Sequence, residues 1–327
     1  MALDNLGDLV FTSVVFRALA QRFPKAEFGV WCKDYTKAAA ELLPCTPEVF
    51  ASDPFWDRSP GHGRGSFLRF AATLNAIRRR RFDTAIVCSQ QWRAAAAVRI
   101  AGIPKRIGYS GKKTSRWLTD AVDRPDHVHV TRELLALVEP LSGPASLDAS
   151  SVAYKLRREA LRTDVDAMMR NGASTDLPNG YVCLHAFAGD PARCWSLGNW
   201  IELAARISAN GKEVVWLGSP RELAAVRTIA DKNGQRVLSA ADIAGAAKDP
   251  LATTIAASAA FIGHDSGPLH VAAALGVPTL GLFLPGTPGR TATQGVGPAK
   301  VLVRERPEAL TFADVWGEYS VLSGRIQ

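Results

Sequence analysis

The stretch Phe261–Thr279, FIGHDSGPLHVAAALGVPT, decides how the chain is read. An apolar run from Ile255 ends in Ala260-Phe261-Ile262, a short strand-like piece. The chain then breaks at Gly263 into His264-Asp265-Ser266-Gly267-Pro268, and an Ala-rich segment follows from Leu269 to Leu275. Strand, tight polar turn and helix is the repeating unit of α/β folds. Pro268 suits a first helical turn, where its missing N–H costs nothing, and Asp265 or Ser266 is placed to cap the helix. Small residues before a helix N-terminus leave N–H groups free at the positive end of the helix dipole, a site for an anion such as phosphate. An ordinary capped helix shows the same pattern. His270, one turn into the helix, is the residue that capping alone does not require.

Working outward, 327 residues suffice for one large or two medium domains. The chain is 47% apolar and 21% charged, as soluble globular proteins are. No apolar run reaches the ~20 residues that cross a bilayer. The opening MALDNLGD lacks the basic-then-apolar pattern of a secretory leader, so a cytoplasmic location is expected. The five cysteines (Cys32, Cys45, Cys88, Cys183 and Cys194) are scattered without metal-ligand spacing, which points to reduced thiols and no metal. A net charge of +8 favours anionic partners: nucleotides, phosphorylated glycans or a membrane surface. Nucleic acid fits less well, because the basic residues lack the interleaved aromatics of a single-strand reader.

Read in order, the chain is two βα-repeating halves with a composition change between about 142 and 178. In the first, helical spacing runs from Val10 to Phe23, which places Gly7-Asp8 in a turn before a helix. Too few residues precede that turn for a full strand, so strand one is expected to be very short or missing. The loop Asp53–Ser66 carries His62, and the helix from Phe67 ends in Arg78-Arg79-Arg80-Arg81, a favourable place for cations. The basic loop SGKKTSR brings Lys112, Lys113 and Arg116 to where an α/β sheet meets its ligand. His127 and His129 share a side only if extended, and no third ligand is near them. In the second half, strands at Tyr181–His185, Glu213–Leu217 and Thr279–Phe283 alternate with helices. The closing helix Thr311–Leu322 is amphipathic, as a packing helix is.

Three ordered motifs carry a family resemblance that spans nearly the whole chain. HDSGPLHVAAALGVPT matches a D-S/T-G-x-x-H-x-A-A-A pattern, ALDNLGDLVFTSVVFRAL an opening L-D-x-x-G-D followed by a helix, and RCWSLGNWIELAARI, more loosely, K-x-W-P-x-x-x-W. The chain resembles the family 9 glycosyltransferases, the bacterial heptosyltransferases of lipopolysaccharide assembly. The resemblance implies an α/β GT-B fold, two Rossmann-like domains facing each other across a cleft. Residues 1–155 would bind the acceptor, 156–178 form a linker, and 179–308 bind a nucleotide sugar. Residues 309–327 would pack back on the first domain. It further implies inversion at the sugar without metal or cofactor, on an ADP-linked donor, with Asp8 as general base. Gly189, Arg193, Gly218, Glu222, Asp265, Ser266, Gly267 and His270 would hold the donor. Lys112, Lys113 and Arg116 would hold an anionic glycan or other hydroxyl acceptor, with peripheral contact at the inner membrane face.

The sequence departs from the family in its short first strand, in Ala188-Gly189 where hydroxyl residues contact phosphate, in Ser196 for Pro, and in Phe283-Leu284-Pro285 for F-G-P. An inactive nucleotide-sugar-binding protein, a transferase acting on a protein or small-molecule acceptor, and a GT-B epimerase are the other readings. The D-S-G-x-x-H pattern disfavours the epimerase.

Overall fold

The computed structural model describes residues 1–57, 65–143, 153–171, 180–233, 237–285 and 288–324; His62 lies outside them. The chain divides into two compact units, Met1–Tyr154 and Lys155–Gln327.

In the first unit, β1 (Gly29–Cys32) pairs in parallel with β2 (Glu48–Ala51), and β3 (Thr84–Val87), β4 (Lys105–Tyr109) and β5 (Asp120–Val122) form a second parallel set. Residues 1–3 join the two sets. Ala2 bridges Cys32 in parallel and donates to the Trp31 carbonyl at 2.8 Å. On the other side the Met1 ammonium donates to Ile86 O at 2.7 Å, and Cys88 N–H donates to Met1 O at 3.1 Å. The expected first strand is therefore present but only three residues long. The order across the sheet is β2-β1-(1–3)-β3-β4-β5, and the direction of winding reverses between residues 1–3 and β3. Beside the short central strand, at the amino ends of β1 and β3, lies a cavity of about 590 Å³ lined by Val15, Phe16, Leu19, Phe28, Ile77 and Phe82 among others.

The second unit repeats this plan in one six-stranded parallel sheet. Its strands are β6 (Tyr181–His185), β7 (Glu213–Trp216), β8 (Leu238–Ser239), β9 (Ala260–His264), β10 (Thr279–Phe283) and β11 (Ala299–Val303). They lie in the order β11-β10-β9-β6-β7-β8. Every residue of β6, β9 and β10 is buried, which is why these strands read as unbroken apolar runs rather than alternating ones. Here the winding reverses between β6 and β9. Both units thus have the doubly wound order in which ligands bind at the carboxyl ends of the strands flanking the reversal.

Each unit has its own core. Leu3, Trp31, Phe50, Phe70, Val87 and Val98 anchor the first, and Leu184, Trp195, Trp200, Trp216, Ile262 and Leu282 the second. The closing helix, Phe312–Gly324, buries Val315, Tyr319 and Leu322 in the second unit's core.

Two local expectations change. The helix expected from Val10 begins at Leu6 and is interrupted at Thr12, giving Leu6–Phe11 and Ser13–Arg22. Gly7-Asp8 therefore lies inside the first helical turn. The earlier start is set by Asp8, whose Oδ2 accepts from the Asn5 N–H at 3.1 Å and satisfies one of the donors a helix start leaves open. The pair His127/His129 is not extended: His127 has φ +57°, and His129 Nδ1 accepts from Thr131 N–H at the start of helix Val130–Ala136.

Candidate functional site

Each unit's reversal point gathers polar side chains.

In the second unit, β6 ends in His185 and β9 in His264, and the register sets His185 beside Gly263. Both imidazoles are buried. Burial first, and for His264 also the neighbouring His185, pushes their pKa values down to about 4, so both are neutral near pH 7. His264 Nε2 accepts from Trp195 N–H at 3.1 Å and its ring meets Trp200 edge-on, which ties β9 to the Arg193–Trp195 loop.

Asp265 follows. Its carboxylate takes hydrogen bonds from His270 Nε2 (3.2 Å), Thr291 Oγ1 (3.2 Å) and Arg193 Nη2 (3.3 Å). Burial pushes this carboxyl up, but the His270 bond, the Arg193 charge and the Thr291 bond outweigh it and hold Asp265 below the usual carboxylate range. Asp265 is thus ionised and fully committed to its neighbours. It organises the loop and does not cap the helix.

Ser266 stands at the N-cap of helix Gly267–Ala274, yet its hydroxyl makes no cap bond. Instead it donates to the His264 carbonyl (3.1 Å) and lies 3.2 Å from His185 Nδ1. The expectation that Asp265 or Ser266 closes this helix start is therefore corrected: both side chains turn elsewhere. The Ser266 and Gly267 N–H groups have no acceptor among the described residues. Open N–H groups, the dipole's positive end and the Arg193 guanidinium converge where an anion would be held. Arg193 is carried there by a short turn, Pro191–Arg193, capped by Asp190, and its Nε donates to Pro285 O at 3.3 Å.

The remaining donor-loop residues are placed as follows. Gly189 is exposed, with room for a side chain. Gly218 ends the β7 side, where an added Cβ would come within 3.3 Å of Glu222. Glu222 Oε2 is occupied by Ser219 N–H at 2.7 Å in a capping box, so that oxygen serves the helix Pro220–Ala230 rather than standing free for a ribose.

In the first unit the reversal point lies between Asp4, which follows residues 1–3, and Ser89, which follows β3. Lys33, just past β1, is buried and pairs with Asp57 at 2.5 Å. Burial, and next the charge of nearby Asp8, raises the Asp4 carboxyl to about 6. Asp8 itself is exposed at the same sheet edge, its Oδ2 held by Asn5 N–H. A solvent-facing carboxylate of fixed direction is what a base toward an acceptor hydroxyl requires.

Lys112, Lys113 and Arg116 are exposed on the loop after β4. Arg116 lies over two rings, 5.2 Å from Trp117 and 6.0 Å from Trp92, whose planes stack at 6.3 Å; Lys112 and Lys113 carry no such support. No group of three metal-ligating side chains exists among the described residues, and no described helix is long and apolar enough to cross a membrane.

Sequence reasoning missed Asp4, Lys33, His185 and Thr291. For the first three the usable signal was position: each lies at or just past the carboxyl end of a strand. Thr291 gave none, because it reaches Asp265 from 26 residues away.

Known proteins resemble this chain over most of its length. Residues 70–314 match the model of glycosyltransferase family 9 (heptosyltransferase). Lipopolysaccharide heptosyltransferase 2 of Escherichia coli K12 is 27% identical over 308 residues, covering 88% of this chain and 82% of that protein. Among solved structures, E. coli ADP-heptose lipopolysaccharide heptosyltransferase II superposes with TM-score 0.82 at 20% identity, over 99% of this chain and 97% of that one. E. coli heptosyltransferase WaaC with ADP gives 0.79 at 16% identity, over 98% of each chain. These superpositions establish the GT-B fold. With the family model spanning most of the chain, the protein belongs to glycosyltransferase family 9, the heptosyltransferase family.

Proposed function

We propose that the protein transfers a heptose from ADP-heptose, with inversion and without a metal ion, to a hydroxyl of lipopolysaccharide core on the cytoplasmic side of the membrane. The observation that carries the donor half is the uncapped start of helix Gly267–Ala274 beside Arg193. Charge that accumulates on a departing diphosphate needs donors already in place. The Ser266 and Gly267 N–H groups and the guanidinium are such donors, and His270 with Asp265 keeps the loop in shape. In the first unit, Asp8 takes the proton of the acceptor hydroxyl as its oxygen attacks the anomeric carbon opposite the leaving group. Lys112, Lys113 and Arg116 meet an anionic acceptor, with Arg116 best positioned because two indoles support it.

The test is a transfer assay with ADP-heptose and a heptose-deficient core acceptor, run with and without EDTA, alongside calorimetric titration with ADP, GDP and UDP. On this reading ADP binds selectively, EDTA changes nothing, and Asp8→Asn lowers transfer by about 10² or more while leaving ADP affinity intact. Equal indifference to the three nucleotides would remove the donor assignment. Selective ADP binding without transfer to any hydroxyl acceptor would make the protein a nucleotide-sugar binder. An Asp8→Asn variant that transfers at the wild-type rate would move the base elsewhere.

A further inference from the structure

Strands β6 and β9 flank the reversal point of the second unit, and each ends in a buried histidine, His185 and His264. Their side chains cross. His264, at the end of β9, takes the Trp195 N–H on its Nε2 at 3.1 Å, and Trp195 lies on the loop that follows β6. His185, at the end of β6, has its Nδ1 3.2 Å from the Ser266 hydroxyl, and Ser266 lies on the turn that follows β9. Each strand thus holds the other strand's loop, and each does so with a different ring nitrogen.

Both rings are neutral near pH 7, and a neutral imidazole has one N–H donor and one bare acceptor. Because His264 Nε2 accepts from a backbone N–H, its proton sits on Nδ1, and that buried nitrogen has no partner among the described residues. An apolar side chain would fill the place without leaving a donor unpaired, so packing alone does not account for a histidine there. At the other ring, the Ser266 hydroxyl spends its proton on the His264 carbonyl at 3.1 Å, which leaves its oxygen to accept from His185 Nδ1–H. The register sets Gly263 beside His185, where an added Cβ would come within 3.2 Å of the His185 Cβ, so the partner strand leaves His185 its room.

What the two bonds hold are the two halves of the anion site. Trp195 stands two residues past Arg193, and its indole donates to Leu310 O at 2.8 Å, so it is fixed through both backbone and ring. The Arg193 guanidinium reaches Asp265 and Pro285 O from that fixed point. With its hydroxyl held by the strand ends, Ser266 stays extended (φ −157°, ψ 166°), and its own N–H and that of Gly267 face outward unpaired among the described residues. Groups that bind an anion hold it well only when a supporting shell fixes their direction. We propose that His185 and His264 are a reciprocal pair of positioning residues for the anion site, His264 setting the Arg193 half through Trp195 and His185 setting the backbone N–H half through Ser266. The proposal rests on the donor site proposed above.

The experiment exploits the two ring nitrogens. Asparagine carries its amide atoms one bond from Cγ, as Nδ1 is, and glutamine carries them one carbon further out, as Nε2 is. Calorimetric titration of the full chain with ADP and with inorganic pyrophosphate should therefore give a crossed pattern. His185→Asn and His264→Gln should stay within about threefold of wild type, while His185→Gln and His264→Asn should bind about tenfold more weakly. In a Ser266→Ala background His185→Gln should add no further loss, because the bond it breaks is already gone. Urea unfolding guards against a folding defect, since the two amides compared at each position share one chemistry. Two readouts need no ligand. Trp195 amide exchange should be about tenfold faster in His264→Asn than in His264→Gln, and the Ser266 χ1 rotamer, from three-bond couplings, should change in His185→Gln and not in His185→Asn. Asparagine and glutamine that behave alike at each position, or a His185→Gln loss that persists in full without the Ser266 hydroxyl, would overturn the proposal. A wild type that binds neither ADP nor pyrophosphate would remove the donor reading alone, and the Trp195 exchange and Ser266 rotamer would then decide whether the histidines hold the loops.

Discussion

Asp4→Asn should stabilise the protein by an amount that grows from nothing near pH 4 to its full value above about pH 6. The Asp4 carboxyl is mostly buried beside Ser89 and close to Asp8, and its pKa rises from 3.8 to about 6. In the unfolded chain it titrates normally. Between those two values the folded state holds the proton longer, so stability falls as pH rises from about 4 to about 6 and stays lower above. At 1.36 kcal/mol per unit, a shift of about two units sets an upper bound of about 3 kcal/mol on the penalty near pH 8. Asparagine keeps the side chain's size and hydrogen-bonding ability and carries no charge. Equilibrium urea unfolding of wild type and variant should therefore show no difference near pH 4 and a gain for the variant of about 1–3 kcal/mol near pH 8. Taking the difference between the two proteins removes the buried histidines, which titrate in both. A two-unit chain can unfold in two steps, so the gain belongs to the transition of the first unit. A difference that is flat in pH, or a variant weaker near pH 8, would refute the reasoning, because it would mean that Asp4 ionises in the fold as freely as in water.

Other perturbations separate the site's parts. Arg193→Ala should weaken ADP binding roughly 10- to 100-fold by calorimetry, since one charge-assisted phosphate contact is worth about 1.5–3 kcal/mol. Asp265→Asn removes the charged acceptor shared by His270, Arg193 and Thr291 and should cost about 1–3 kcal/mol at neutral pH. Because the Asp265 carboxyl is held below its ordinary value, that contribution is lost only as pH falls below about 4, and wild type and variant should converge there in urea unfolding. Gly263→Ala would bring a Cβ within 2.7 Å of the buried Phe261 ring and 3.2 Å of His185 Cβ, and should cost about 1–3 kcal/mol in chemical denaturation through overpacking.

What the sequence disclosed follows from how local each signal is. The fully buried strands Tyr181–His185 and Thr279–Phe283 announce themselves as apolar runs. Strand Ala299–Val303 is exposed or half-buried along its length and was not expected. The start of helix Leu6–Phe11 was missed because its box is Asn-x-x-Asp rather than the Ser/Thr-x-x-Glu usually sought, and because helical spacing shows only from Val10 onward. Asp265, Ser266 and His270 were legible as one site, since they lie within a single turn and helix. Their roles were not, because partners fix them from afar: Arg193 and Thr291 take the Asp265 carboxylate, and His185 lies against the Ser266 hydroxyl from 81 residues away. Sequence spacing shows which groups can meet within a turn, and the strand order decides which distant ones do.

The helix start at Ser266 has a consequence for how binding and local order are linked. A serine that caps its helix contributes about 1 kcal/mol, and Ser266 has instead turned its hydroxyl to the preceding strand end. The first turn of Gly267–Ala274 is thereby left less stable than it could be, and an anion bound there restores what the cap would have supplied. Order in this loop and occupancy of the site become one equilibrium. Amide exchange at Ser266, Gly267 and Leu269 should slow on filling the site, and the melting temperature of the second unit should rise with ligand concentration.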